Sequence, residues 1–141
     1  MKMLIDTNVI MDALVGREPF LAKSEFVVNL CGERVIHGYI AAHSVTNLFY
    51  LLRKYYPSAH CKTMLLATLN LFDVIQIDRD KLIVALENES FKDFEDCLQM
   101  ECGKTVKVDY IVTRDMKDFV GSEIPCLTPD DVYAMFPTEQ R

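Results

Sequence analysis

Short apolar runs alternate with segments of helical periodicity along almost the whole of this chain. The apolar runs have the length of buried β-strands and lie at residues 3–5, 35–40, 74–77, 108–113 and 124–127. The helical segments lie at residues 9–14, 20–31, 42–56, 58–72, 79–87, 91–102 and from 129 onward. Strands that are joined through helices run parallel, and the helices cover both faces of their sheet. The sequence therefore predicts an α/β fold, a three-layer α/β/α sandwich with a mostly parallel sheet of four to five strands.

Polar and small residues mark where several of these helices begin and end. Asp78 and Thr128 each precede a helical segment, and Asp93, near the start of the segment at residues 91–102, is a natural N-cap; all three can accept a hydrogen bond from the first free amides of a helix. Gly32 and Gly103 follow helical segments, and glycine commonly ends a helix. The pattern predicts helix starts after the three capping residues and helix ends at both glycines.

Length and composition indicate one domain that spans residues 1–141. The chain has no internal repeat and no Gly/Ser-rich or Pro-rich linker. Its five cysteines are odd in number and form no C-x-x-C motif, which favours reduced thiols over a disulfide framework or a zinc site. No signal peptide and no apolar run of membrane-spanning length is evident, so we expect a cytoplasmic protein without a membrane partner.

The net charge of −6 disfavours a protein that holds nucleic acid through a broad basic face. The objection weakens if some acids are neutralised by bound cations. Counting Asp6, Asp96, Asp115 and Asp118 as metal ligands leaves a charge of −2. Charge therefore argues against a non-catalytic RNA-binding module more than against a metal-dependent nuclease.

Acidic residues follow two of the predicted strands and begin a late helix. Asp6 ends the first strand, Asp115 and Asp118 follow the fourth, and Asp96 lies near the start of the helix before the fourth. In an open parallel sheet, ligands bind beyond the carboxyl ends of the strands, so these acids are expected to meet there. Oxygen ligands without a nearby His or Cys set suit Mg²⁺ or Mn²⁺. The chemistry implied is hydrolysis of a phosphodiester bond.

Each acid also has a purely structural explanation. Asp6 can cap the helix that follows the first strand. Asp93 is a natural N-cap, with Asp96 in the position of a capping-box partner. Asp115 and Asp118 can be ordinary turn residues. Their joint placement favours the functional interpretation more than any one of them does.

Three segments resemble the PIN-domain family in order and spacing, and together they extend over nearly the whole chain: residues 4–10, 91–99 and 110–119. The resemblance implies a metal-dependent ribonuclease that hydrolyses RNA, often the toxin of a toxin–antitoxin pair, with an antitoxin protein as a partner. It assigns the acidic positions to Asp6, Asp96, Asp115 and Asp118. Asn8 and Thr113 fall where polar residues commonly support the acids.

One position departs from the family pattern. An acid is usual in the first turns of the helix after the second strand, and Asn47 occupies that place here. An amide oxygen can bind a metal but brings no negative charge, so metal affinity is expected to fall. A catalytically weakened PIN-like interaction or RNA-binding protein is therefore the alternative hypothesis.

Two other phosphoryl-transfer folds fit the residues less well. A receiver domain would need a phosphorylatable acid after the third strand and a late Lys-Pro pair, and only Asp78 is offered. A haloacid-dehalogenase-type phosphatase would need Asp-x-Asp after the first strand, where this chain has Asp6-Thr7-Asn8.

The sequence contains weaker evidence for RNA binding than for a metal site. Residues 53–56 mix basic and aromatic side chains, and Arg114 and Lys117 flank the acids. A solvated helix end with buried aromatic side chains explains residues 53–56 better than RNA contact does, which leaves Arg114 as the predicted phosphate contact. Apolar helical faces at residues 20–31 and 65–72 would suit a homodimer, but burial in the core explains them as well.

Overall fold

The computed structural model describes all residues from Met1 to Arg141. Five strands alternate with seven α-helices. The strands are β1 (Lys2–Ile5), β2 (His37–Ala41), β3 (Asp73–Ile75), β4 (Tyr110–Val112) and β5 (Cys126–Leu127). The helices are α1 (Thr7–Val15), α2 (Leu21–Gly32), α3 (Ala42–Leu52), α4 (Ser58–Leu69), α5 (Arg79–Glu87), α6 (Phe94–Val106) and α7 (Pro129–Met135). Short 3₁₀ helices lie at Met116–Phe119 and Thr138–Gln140.

The five strands form one parallel sheet in the order β3-β2-β1-β4-β5. The chain builds outward from β1 through β2 to β3, and then continues on the other side of β1 with β4 and β5. The strand order therefore reverses between β1 and β4, where Ile5 pairs with Val112. Side chains that follow these two strands lie at the point where open α/β sheets bind ligands.

The alternation of side chains along each strand divides the core into two layers. Met3, Ile5 and Ile40 face one cluster, which packs against α1, α2, α3, α4 and α7. Leu4 and Ile111 face the other cluster, which packs against α5 and α6. The three-layer α/β/α sandwich with a parallel sheet, predicted from the sequence, is confirmed. No helix combines the length and the apolarity that crossing a membrane requires.

The predicted helix starts are confirmed at all three capping residues. The side chains of Asp78, Asp93 and Thr128 accept hydrogen bonds from backbone amides of the first turns of α5, α6 and α7. Thr128 also forms a reciprocal capping box with Asp131. Asp96 contributes only its backbone amide to the Asp93 cap, at 3.0 Å, so its carboxylate is left for the pocket described below.

The predicted helix end at Gly103 is wrong. Helix α6 continues to Val106 and ends at Lys107, which adopts the left-handed conformation with φ of 58°. Position 103 is tightly packed instead: a Cβ there would lie 2.9 Å from Val108 Cγ2 and 3.0 Å from Ile124 Cδ1, so one of these side chains would have to shift. The residue thus allows α6 to approach the β4–β5 side of the sheet closely.

A second close contact lies behind the turn that follows β4. A Cβ at Gly121 would lie 2.4 Å from the carbonyl oxygen of Ser90, a distance that real side chains do not tolerate. The rings of Phe91 and Phe119 pack edge-on beside this contact, with centroids 6.0 Å apart. The segment that leads into α6 is therefore packed directly on the turn after Asp118.

Candidate functional site

Asp6 directly follows β1, and three hydrogen bonds hold its carboxylate. Its carboxylate accepts hydrogen bonds from the backbone amide of Thr7 at 2.7 Å, from Gln99 Nε2 at 2.8 Å and from Thr113 Oγ1 at 2.8 Å. The side chain caps α1, as one interpretation of the sequence suggested, and only 6% of the residue is exposed. Thr113 thus supports the acid from the end of the neighbouring strand.

Burial raises the pKa of Asp6 above its ordinary value, while the hydrogen bonds from Gln99, Thr113 and Thr7 work in the opposite direction. A carboxylate oxygen can accept about two hydrogen bonds. Oδ1 already accepts two, from Thr7 and Gln99, whereas Oδ2 accepts one, from Thr113. One position on Oδ2 therefore stays open toward a cation.

The acids predicted from the sequence line one pocket at this edge of the sheet, a cavity of about 450 Å³ that we call the acidic pocket. Its lining residues are Asp6, Thr7, Asn8, Met11, Arg17, Asn47, Tyr50, Leu51, Glu95, Asp96, Gln99, Asp115 and Asp118. None of its five carboxylates takes part in an ion pair. The pocket is therefore strongly negative, because no basic side chain pairs with any of these five acids.

Asn8 and Thr113 hold the turn that carries Asp115. Asn8 Nδ2 donates to Asp115 Oδ2 at 3.2 Å, and the backbone amide of Asp115 donates to Thr113 Oγ1 at 3.1 Å. Asn8 Oδ1 also accepts from the backbone amide of Arg114 at 3.4 Å. These contacts tie the residue after β4 to the start of α1, so the two acid-bearing strand ends stay together.

Asp96 lies in the first turn of α6 and faces the other acids. Burial, and after it the negative charges of Asp6, Asp93, Asp118 and Glu95, together raise its pKa to about 7. Both the loss of solvent and the neighbouring acids therefore disfavour its ionised form. A bound cation would remove that penalty.

The raised pKa of Asp96 predicts an unusual pH dependence of stability in a buffer that contains EDTA. The folded state retains a proton on Asp96 between pH 3.8 and about 7, whereas the unfolded state loses it near pH 3.8. The free energy of unfolding should therefore decrease as pH rises through this window. Urea denaturation at pH 5 and pH 8 measures the effect. Asp96→Asn should reduce the dependence, with the raised pKa of Asp6 contributing the remainder, whereas Glu25→Gln on α2 should leave it unchanged.

Gln99 is a pocket residue that the sequence interpretation missed. Its Nε2 donates to Asp6, only 2% of the residue is exposed, and its Oε1 has no hydrogen-bond partner. The donor to a carboxylate must be the amide nitrogen, so the unpartnered atom is the carbonyl oxygen. A buried acceptor without a donor is rare. The helical spacing of three residues between Asp96 and Gln99 was the available signal, because such residues share a helix face.

Asn47 and Glu95 meet across the pocket. Asn47, on α3, donates from Nδ2 to Glu95 Oε2 at 3.0 Å. His43 Nε2 lies 3.1 Å from the Glu95 backbone oxygen, so α3 and the start of α6 are joined at two points. Asn47 thus reaches the pocket as expected, together with Glu95, a carboxylate that the sequence interpretation had not singled out.

The structure does not place Arg114 in the acidic pocket as the predicted phosphate contact. Its guanidinium pairs with Asp12, at 2.7 Å from Nε to Oδ2, and packs over the Phe20 ring at 4.2 Å. The side chain of Asp12 is fully buried in α1, so it requires a cation. Arg17, which also contacts Asp12 at 3.4 Å, is the arginine that lines the pocket.

The basic and aromatic side chains at residues 53–56 lie outside the acidic pocket as well. Arg53 donates to the Tyr56 backbone oxygen at 3.2 Å, and the Tyr56 ring packs against His60 at 4.8 Å. The aromatic residue that does line the pocket is Tyr50, which is 70% exposed. The structural explanation of residues 53–56 therefore agrees with their contacts.

The donor set of the pocket fits a hard divalent cation. Carboxylate and amide oxygens are the ligands that Mg²⁺ and Mn²⁺ prefer, and the unpartnered Gln99 Oε1 adds an acceptor beside Asp6. No three His, Cys, Asp or Glu side chains converge closely enough to form a ready-made metal site. A cation would therefore be held by oxygens from around the pocket, directly or through water.

Comparison with known proteins gives the same picture of the fold. A toxin–antitoxin complex from Klebsiella pneumoniae contains a chain that is 23% identical, with a TM-score of 0.65 over 90% of this chain and 97% of that one. FitAcB from Neisseria gonorrhoeae is 18% identical, with a TM-score of 0.69 over 90% and 97%. VapBC2 from Rickettsia felis, bound to a promoter DNA fragment, is 15% identical, with a TM-score of 0.66 over 91% and 98%.

The sequence comparisons identify the family. A search of curated proteins gives no match. The family model described as the PIN domain matches residues 2–117, which include β1 to β4 and every acid of the pocket except Asp118. This chain is therefore a member of the PIN-domain family.

Proposed function

We propose that the protein is a metal-dependent endoribonuclease, the toxin of a toxin–antitoxin pair. The observation that carries the proposal is the convergence of acids from β1, α6 and the turn after β4 on one pocket around Asp6. The pocket lies at the switch point of the sheet and contains the oxygen donors of a Mg²⁺ or Mn²⁺ site.

The pocket residues have separate tasks in this proposal. When bound, the cation supplies Lewis-acid chemistry that activates water and stabilises charge on the phosphate. Thr7, Gln99 and Thr113 fix the orientation of Asp6, which leaves Oδ2 as its open ligand position. Asn8 orients Asp115 from the start of α1. Because these contacts exist before substrate arrives, the acids need little rearrangement.

The direct test is incubation of the purified protein with single-stranded RNA and Mn²⁺, followed by gel analysis of the products. We expect internal cleavage that EDTA abolishes and that leaves a 5′-phosphate, as the family resemblance implies. Intact RNA at millimolar Mn²⁺, with measurable Mn²⁺ binding by calorimetry, would instead favour a non-catalytic PIN-like protein. The uncharged amide of Asn47 in the pocket is the observation behind that alternative.

An antitoxin partner belongs to the same proposal. The structural neighbour from Klebsiella pneumoniae comes from a toxin–antitoxin complex. The neighbours from Neisseria gonorrhoeae and Rickettsia felis come from FitAcB and VapBC2. Expression of this chain together with the product of an adjacent small gene, followed by co-purification, tests the pairing. Size-exclusion chromatography of this chain alone tests the expected homodimer.

Single-stranded RNA is supported as the substrate by cationic and aromatic side chains on both sides of the acids. Arg17 and Tyr50 line the acidic pocket itself. A neighbouring cleft shares Asp118 with that pocket and is lined by Lys92 and Lys117. Neither lysine takes part in an ion pair. Both ammonium groups are therefore free to contact phosphates next to the cleaved bond.

Removal of these two lysines should weaken RNA binding in a salt-dependent manner. We expect Lys92→Ser/Lys117→Ser to reduce the slope of log Kd against log salt by about 1.4, because each phosphate contact to a single strand contributes about 0.7. Fluorescence anisotropy of a labelled single-stranded RNA, in an Asp6→Asn background that prevents cleavage, measures the slope. Lys62→Ser/Arg79→Ser removes the same charge from exposed positions outside both clefts, and an equal effect there would contradict a specific contact.

A further inference from the structure

Glu95 lines the acidic pocket, although the sequence does not predict a site residue at this position. It lies in the first turn of α6 beside Asp96, where an acid also suits the positive end of a helix. Favourable placement at a helix start does not require contact with another element. Glu95 nevertheless lines the pocket with Asp6 and accepts a hydrogen bond from α3.

The contact between Asn47 and Glu95 has a definite polarity. Asn47 Nδ2 donates to Glu95 Oε2 at 3.0 Å across 48 positions of sequence. Because a carboxylate only accepts, the amide nitrogen of Asn47 must face Glu95, and its oxygen is left for another partner. An acid at position 47 would instead repel Glu95. The two residues are therefore complementary: α3 supplies the amide, and α6 supplies the charge.

Glu95 has no cation of its own. It takes part in no ion pair, and Arg17, the arginine of the pocket, is engaged with Asp12. Because Glu95 is exposed to solvent, its unpaired charge does not by itself require a partner. The missing partner is indicated by Gln99 in the same pocket, which is 2% exposed and whose Oε1 accepts no hydrogen bond. A hydrated divalent cation satisfies both groups, since it attracts the carboxylate and its water molecules donate hydrogen bonds.

We propose that Glu95 is a cation-binding residue of the acidic pocket and that Asn47 is the positioning residue that holds its carboxylate there. The pair supplies from α6 the negative charge that α3 lacks. The inference rests on the proposed function for the identity of the site as a Mg²⁺ or Mn²⁺ centre. It adds a ligand group and explains the amide at position 47.

Calorimetric titration with Mn²⁺ in the absence of RNA tests the pair without reference to activity. We expect Glu95→Gln to weaken Mn²⁺ affinity about 10-fold or more. Asn47→Ala should weaken it less, and Asn47→Ala/Glu95→Gln should bind no more weakly than Glu95→Gln alone, because Asn47 acts through Glu95. Glu89→Gln, which removes an exposed acid outside the pocket, should bind Mn²⁺ as the native protein does.

The exchanged pair Asn47→Asp/Glu95→Gln provides the sharpest control. It restores one carboxylate and one amide in contact, with the donor now on α6, and should recover Mn²⁺ affinity to within about threefold of native. Native affinity in Glu95→Gln, or no recovery in the exchanged pair, would overturn the inference, as would a native protein that does not bind Mn²⁺.

Parallel RNA cleavage assays separate this inference from the proposed function. Cleavage by the native protein and by Glu95→Gln at equal rates and equal Mn²⁺ affinity leaves the nuclease proposal standing and refutes the role of Glu95. Absence of cleavage by the native protein, with the expected pattern of Mn²⁺ affinities, refutes the nuclease proposal and supports the role of Glu95.

Discussion

Asp6→Asn is expected to reduce Mn²⁺-dependent RNA cleavage by about 100-fold or more. Changes to groups that only support metal ligands cost about 10- to 100-fold, so loss of the charge on a direct ligand should cost at least the upper value. The amide has nearly the shape of the carboxylate, and it fits once the Thr113 hydroxyl turns its proton away from residue 6. Its oxygen can accept from Thr7 and Gln99, and its nitrogen can donate to Thr113 Oγ1.

The measurement is the initial rate of cleavage at saturating Mn²⁺, together with the circular dichroism spectrum to verify the fold. Asp130→Asn is the matched control, because that carboxylate is 80% exposed and lies outside the acidic pocket. An Asp6→Asn protein that cleaves RNA at the native rate would remove Asp6 from the catalytic machinery and the nuclease proposal with it.

Arg114→Met is expected to destabilise the fold by roughly 3 kcal/mol, because breaking a buried ion pair leaves an uncompensated charge. The side chain of Asp12 is fully buried, and Arg114 provides its shortest contact, at 2.7 Å. Arg17 remains at 3.4 Å and should limit the loss. Urea denaturation measures the change in the free energy of unfolding.

Two further variants separate the buried charge from the loss of packing on Phe20. Asp12→Leu/Arg114→Met removes both charges and should recover much of the lost stability, because apolar replacements of a buried pair are often neutral. Arg17→Met should cost less than Arg114→Met, since its contact with Asp12 is longer. An Arg114→Met protein with native stability and weakened RNA binding would restore Arg114 as a phosphate contact.

The sequence was sufficient to predict the fold class because the two periodicities of strand and helix are properties of single segments. Strand order is a different kind of property. It depends on which strands pair, such as β1 with both β2 and β4, and no single segment contains that information. Gly103 shows the same limit, since its glycine reflects the approach of Val108 and Ile124 rather than the end of a helix.

The pocket was predictable where its residues follow strands, and unpredictable where they depend on packing between helices. Asp6 and Asp115 could be assigned because parallel strands end at one edge of a sheet. Glu95 and Gln99 enter the pocket through the rotation of α6 against α3 and β1, which sequence spacing does not specify. The ion pair of Arg114 was not anticipated, because Asp12, an acid within an apolar helix, was not considered as its partner.

The contact between Gly121 and Ser90 has a consequence for how a substitution far from the carboxylates could disrupt the acidic pocket during evolution. Asp118 lies three positions before this glycine, and Asp93, Glu95 and Asp96 follow Ser90 within six positions. Any side chain at position 121 would push the two acid-bearing segments apart from the rear, because its Cβ would meet the Ser90 carbonyl oxygen at 2.4 Å. A methyl group there should thus disturb the arrangement of the acids, and weaken the cation binding proposed for the pocket, from a position that does not line it.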